Sequence, residues 1–275
     1  MFGQYAKHRL ALAKQKAAHL KCDRNYRPGT LLSDVDFAEN YEIVHALEIQ
    51  SAHWSHKQLT LFISINSYLV KESWDAEDGA LPVGCKVTVE PNGKGVVDGS
   101  YFATVVEGGD GSGRDGKCTV ETPGDEGQPS RRVPDVPRHA LRRRDERTTA
   151  YVFATGDRKH DTHAVQKFLI EMATYFQSSS GETITRHFIR SDNAAQHFKS
   201  KYTLRFLSLY AKMFKLAHVV WDIGCPGHGK GPWDGLGGTL KSWMRRTAEA
   251  MPIDQVDRGP EDCAARLKAH FDSEK

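Results

Sequence analysis

Polar and apolar residues alternate from Leu31 to Tyr41 (LLSDVDFAENY), the period-two pattern of a strand with one face against a core. The stretch from Gln58 to Val70 (QLTLFISINSYLV) is more strongly apolar and predicts a second strand, reached through a polar and aromatic connection that holds His53 and Trp54. A short apolar run, Tyr151 to Ala154, predicts a third strand of the same kind. The period then changes. Val165, Phe168, Leu169, Met172, Tyr175 and Phe176 recur at helical spacing. A strand from Ile184 to Arg190 follows, then a long helix on Phe198, Tyr202, Phe206, Leu209, Met213 and Phe214, then a strand from His218 to Ile223. Leu236, Leu240, Trp243 and Thr247 mark a further helix, and residues 252–275 hold a last short one around Cys263 to Phe271. At the other end, Phe2, Tyr5, Leu12 and Leu20 are interleaved with Lys7, His8, Arg9, Lys14, Lys16 and Lys21. This reads as a basic helix over residues 1–30, ended by Pro28-Gly29, that packs on the domain or touches a phosphate backbone.

From residue 78 to residue 147 the texture is different. Glycine, proline and valine rise, and three or four short strands divided by turn residues are predicted, with a flexible hairpin loop over Gly108 to Gly116. The spacing and the closing VPRHALR resemble a small Tudor- or agenet-type β-barrel, a class that implies modified histone tails or nucleic acid as ligand. Tyr101 and Phe102 serve either such a cage or the core. The run Arg142, Arg143, Arg144 and Arg147 is either a solvated exit or a phosphate contact.

Composition narrows the class. At 275 residues and 39% hydrophobic content the chain can bury one good core and a small module. The formal charge of +3 allows a nucleic-acid partner without demanding one. Cys22, Cys85, Cys118, Cys225 and Cys263 are odd in number and form no CxxC pair, which argues for a reducing compartment and against a structural zinc site. Without an apolar run of membrane length or a signal peptide, the expectation is a soluble, intracellular protein.

The candidate chemistry gathers near the end of the chain, from Asp222 to Arg245. A glycine-rich loop carries His228 and Lys230, and Asp234 opens the helix behind it. Counting round that helix, Gly237, Gly238, Lys241 and Arg245 share the face of Asp234, as a metal-bound phosphodiester lying across it would require. The plainer reading is a carboxylate that favours the helix dipole, with a solvated basic face behind it. Two further acids invite the same question. Asp36 lies on the first strand, where a half-buried carboxylate is expensive unless compensated, with Asp34 as its rival. Asp192 follows the fourth strand at SDNAAQHFK.

With residues 78–147 set aside, the order is three strands, helix, strand, helix, strand, helix. On the strand DFAENY, the junction SDNAAQHFK and the loop and helix HGKGPWDGLGGTLK, the chain resembles the ribonuclease H-like fold, and within it the DDE/DDD transposases and integrases. The resemblance implies a mixed α/β sheet flanked by helices, formed by residues 31–77 and 148–251, with residues 78–147 inserted and 252–275 as a helical tail. It implies that Asp36, Asp192 and Asp234 hold two Mg²⁺ or Mn²⁺ ions for phosphoryl transfer on DNA. Glu39 and Asn40 would stand behind them, and His228, Lys230, Lys241 and Arg245 would hold phosphates, helped by His197 and Lys199. It further implies a nuclear protein, compatible with homo-oligomers and with chromatin bound through the insertion. Two other readings stand beside it. One is a transposon-derived protein that keeps DNA or chromatin binding without cutting. The other is a nucleotide loop at Gly224 to Gly231, which lacks the hydroxyl a GxxxxGK[S/T] motif places after its lysine.

Overall fold

The structure is a computed structural model, and it describes residues 7–15, 27–43, 57–74, 81–90, 101–107, 116–123, 129–225, 231–252, 255, 257 and 259–273, the side chains of Glu39, Pro232 and residues 71–74 excepted. The fold is mixed α/β. After helical residues 7–15 (α1) come strands β1 (Thr30–Glu42), β2 (Gln58–Trp74), β3 (Lys86–Val89), β4 (Tyr101–Glu107), β5 (Lys117–Thr122), β6 (Arg131–Pro137) and β7 (Leu141–Thr155). Helix α2 (Thr162–Ser180), β8 (Arg186–Ser191), α3 (Lys201–Met213), β9 (His218–Ile223), α4 (Pro232–Ala250) and α5 (Pro260–Ser273) complete it.

The chain divides into two compact units, Met1–Gln15, Leu31–Ser67 and Thr148–Lys275 forming the first, Lys16–Thr30 and Tyr68–Arg147 the second. β7 gives its first half to the second unit and its remainder to the first. In the first unit the strands lie in the order β7, β2, β1, β8, β9, with β8 and β9 parallel. β1 therefore stands between β2 and β8. One core is formed by Tyr41, Ile43, Leu59, Leu61 and Ile63 of the strands with Leu240 and Met244 of α4 and Cys263 and Leu267 of α5. Phe37, Phe62, Phe153 and Phe168 stack into a second cluster under α2.

The helix ends are set by local chemistry. Asp161 caps α2 by accepting the Ala164 N–H at 2.9 Å, and Gly181 closes it at φ 69°. Ser200 caps α3 through the Thr203 N–H. Between strands and α3 runs a buried polar chain. Ser33 Oγ donates to Asn66 Oδ1 at 2.6 Å and meets His187 Nε2 at 2.8 Å, while His187 Nδ1 meets the Tyr210 hydroxyl at 2.9 Å. Burial pushes His187 down to about 3, so it is the neutral imidazole that ties β1, β2, β8 and α3 together.

The second unit corrects one expectation. Its strands lie in the open antiparallel order β6, β5, β4, β3, β7, so the insertion is a meander and not a closed barrel. The VPRHALR stretch does not close it: Val133 to Pro137 belongs to β6, Arg138–Ala140 is a 3-10 turn, and Leu141 starts β7, which pairs with β3. The arginine run divides. Arg142 pairs with the fully buried Glu90 at 2.9 Å, and Arg144 bonds Glu146 and lies 3.9 Å over the ring of Phe102, while Arg143 and Arg147 are exposed. Tyr101 is half-buried and packs against the core of Val87, Val105 and their neighbours, and Phe102 is half-buried as well.

Candidate functional site

Asp36 stands on β1, Asp192 one residue past the end of β8, and Asp234 in the first turn of α4. Each carboxylate is anchored by a nearby backbone N–H: Asp36 by Phe37 at 2.8 Å, Asp192 by Ala194 at 2.9 Å, and Asp234 by Gly231 at 2.8 Å. The Asp234 bond is the helix-capping role that its position suggested on sequence alone. Burial raises Asp36 to about 7, and the charges of Asp192 and Asp234 add to that rise. Two acids from distant segments thus act on Asp36.

Asp34 is excluded as the acid of this place by its own partner. Arg190 of β8 binds it two-pronged, Nε to Oδ1 at 2.7 Å and Nη2 to Oδ2 at 3.4 Å. Among the described residues, no cation figures in the shift of Asp36. What opposes its burial is the Phe37 N–H and the indole of Trp233, whose buried Nε1 has no partner within hydrogen-bond distance yet lies near enough to favour the ionised carboxylate. Trp233 folds across its own helix start, where a Cβ on Gly231 would meet its ring at 2.2 Å. Nothing in the tryptophan's sequence context signalled this role.

Glycines fix the approach of the other two acids. α4 comes so close to the sheet that a Cβ on Gly237 would lie 3.1 Å from Ala38 Cβ and 3.2 Å from Ile63 Cδ1. Gly237 is therefore buried on the sheet, and the face shared with Asp234 narrows to Gly238, the half-buried Lys241 and the exposed Arg245. Gly224 does the same for Asp192. Its N–H donates to the Ser191 carbonyl at 2.8 Å, a Cβ there would come within 3.0 Å of that oxygen, and Asn193 Nδ2 donates to the Gly224 carbonyl at 2.6 Å. Gln15 of α1 then clamps the end of β9, donating to Asp222 Oδ1 and the Ile223 carbonyl and accepting the Cys225 N–H.

On the other face of β1, Phe37 stacks on His160 at 4.4 Å and meets His197 edge-on at 5.1 Å. Thr60 bonds both Asn40 and His160, while Ala38 and Tyr41 pack on the α4 side, so the alternation of β1 lapses around residue 39, as a bulge makes it do. His197 feels the charge of Asp192, and burial lowers the pKa of both histidines. His160 carried no signal in the sequence, since it lies far from every motif quoted above. His228 and Lys230 lie outside the described residues, as do His53 and Trp54.

Asp36, Asp192 and Asp234 carry the hard oxygen donors that a divalent ion takes. They are not gathered to coordination distance: among the described residues no group of three or more histidine, cysteine, aspartate or glutamate side chains is close enough to hold a metal. Cys118, Cys225 and Cys263 are free thiols. Among the described residues no helix is long and apolar enough to cross a membrane.

No curated protein and no solved structure matches the chain. A family model described as Domain of unknown function (DUF8701) matches residues 15–78 and 139–273.

Proposed function

The chain therefore belongs to that family, and we propose that its first unit is a ribonuclease H-like polynucleotidyl transferase of the transposase and integrase kind, acting on DNA in the nucleus. The observation that carries the reading is Asp36, a carboxylate pushed up to about 7 by burial and by the charges of Asp192 and Asp234. Like charges gathered around a half-buried acid cost stability, and a fold has no need of that arrangement unless a cation offsets it. The order of strands and helices in the first unit supports the same reading.

Asp36, Asp192 and Asp234 would hold the ions. Bound there, two divalent ions supply a deprotonated water or 3′-hydroxyl and neutralise the leaving oxygen. The protein's own part is positioning. The Phe37 N–H orients Asp36, the Ala194 N–H orients Asp192, and the Gly231 N–H orients Asp234. Lys241 and Arg245, about two and three turns along α4 from Asp234, neutralise phosphates of the bound strand.

The test is cleavage of supercoiled plasmid by the purified chain. Nicking that needs Mg²⁺ or Mn²⁺, stops with chelator and is abolished by Asp192→Asn is the expected result. Salt-sensitive DNA binding that survives this substitution, with no cutting by the unaltered chain, would identify a DNA-binding relic instead.

A further inference from the structure

We infer that the first turns of α2 and α3 form a landing surface for a single-stranded stretch of polynucleotide beside Asp192. This rests on the reading above and adds the strandedness and path of the substrate. The two turns are held side by side. Thr162 Oγ1 lies 3.2 Å from Ser200 Oγ and 3.4 Å from the Gln196 carbonyl, and Gln166 Nε2 reaches the Tyr202 carbonyl at 3.4 Å. On and before these turns Arg158, Lys159, Lys199, Lys201 and Arg205 are all exposed. None of the five has an ion-pair partner among the described residues. Two acids stand among them, Asp157, which accepts the Lys159 N–H, and Asp161, which caps α2, so the five cations outnumber the carboxylates. A concentration of unpaired positive charge is left, complementary to a phosphodiester chain.

An aromatic ring lies within that charge. Tyr202 is 49% exposed, Lys201 Nζ stands 5.3 Å from its centroid, and the exposed His163 ring is 6.2 Å away. An open ring among cations takes the face of an unstacked base while the neighbouring phosphates are neutralised. A duplex keeps its bases stacked on one another and offers the ring nothing. The surface also continues to Asp192: His160 lies 5.6 Å from His197, and His197 is within the field of that acid.

The test uses the full chain in chelator, so that binding is read without cutting. Fluorescence anisotropy compares labelled oligo-dT of about 12 nucleotides with a blunt duplex of the same length. Lys199→Glu, Lys201→Glu and Arg205→Glu together should weaken oligo-dT binding by about tenfold or more and reduce its salt slope by about 2. Tyr202→Ala should weaken oligo-dT by about fivefold and leave the duplex unchanged, while Tyr202→Phe, which keeps the stacking face, binds as the unaltered chain does. Thermal melts of the exposed-site variants confirm folding, and Tyr202→Phe against Tyr202→Ala decides the matter if the triple variant melts early. Unchanged oligo-dT affinity in the charge variant, or equal effects of Tyr202→Ala on both ligands, would overturn the inference. Mn²⁺ binding by the same proteins separates the two ideas: its absence in the unaltered chain counts against the catalytic reading, whereas the landing surface stands or falls on the oligonucleotide alone.

Discussion

Asp34 and Asp36 sit two residues apart on one strand and meet opposite fates. Asp34 is neutralised by Arg190 and is part of the fold's framework; Asp36, among the described residues, has dipoles to offset its charge and two other acids to raise its cost. The difference predicts a stability effect with a definite sign. Unfolded, Asp36 ionises at its ordinary value of 3.8; folded, it holds its proton to about 7. Its contribution favours the fold at low pH, is lost as pH rises from 3.8 to 7, and stays lost above that. Asp36→Asn should therefore stabilise the protein by about 1–2 kcal/mol at pH 8, an amount already reduced for solvent screening, and have little effect near pH 4. Urea unfolding at the two pH values measures it. Equal effects at both would mean that the charge of Asp36 carries no strain.

At the scale of elements, α4 decides whether Asp234 belongs with the other acids. Gly237 is the contact that sets its height above β1 and β2. Gly237→Val should cost about 1–3 kcal/mol by overpacking and weaken divalent-ion binding as well, because it lifts the turn that carries Asp234. Gly237→Ala is milder, since the gain in helix propensity of about 1 kcal/mol opposes the close contact. Urea unfolding and an Mn²⁺ titration of the two variants check this. A stable Gly237→Val protein with unaltered ion binding would contradict it. Much at this scale was legible beforehand. The strand at His218–Ile223 is where its apolar run lies, and the helices on Phe168 and Leu240 follow their period, because one-sided burial writes itself into spacing. What spacing does not encode is close approach. Gly237 reads as an empty position on the face of Asp234 and is instead buried on the sheet, and Trp233, which carries no signal in the sequence, lies near enough to act on Asp36.

For the whole molecule, two limits of a single sequence stand out. Strand spacing suggested a barrel in the insertion, yet spacing cannot say whether a meander closes on itself; the open order follows from β7, which pairs with β3 and runs on into the first unit. The family match leaves out residues 79–138, which supply β3 to β6, while every residue of the core between β1, β2, α4 and α5 lies within it. That core carries Asp36 and Asp234 on elements far apart in the sequence, and β8, beside β1, brings Asp192. Pairing of distant segments is a property of the fold that no local pattern states. The claim on which the account turns is that these three carboxylates together bind a divalent cation. It is tested most directly by Mn²⁺ titration at pH 8, followed by the loss of the free-ion paramagnetic resonance signal. The account predicts saturable binding to the unaltered chain that is lost in Asp36→Asn, Asp192→Asn and Asp234→Asn alike. Binding that survives all three substitutions, or its absence from the unaltered protein, would contradict it.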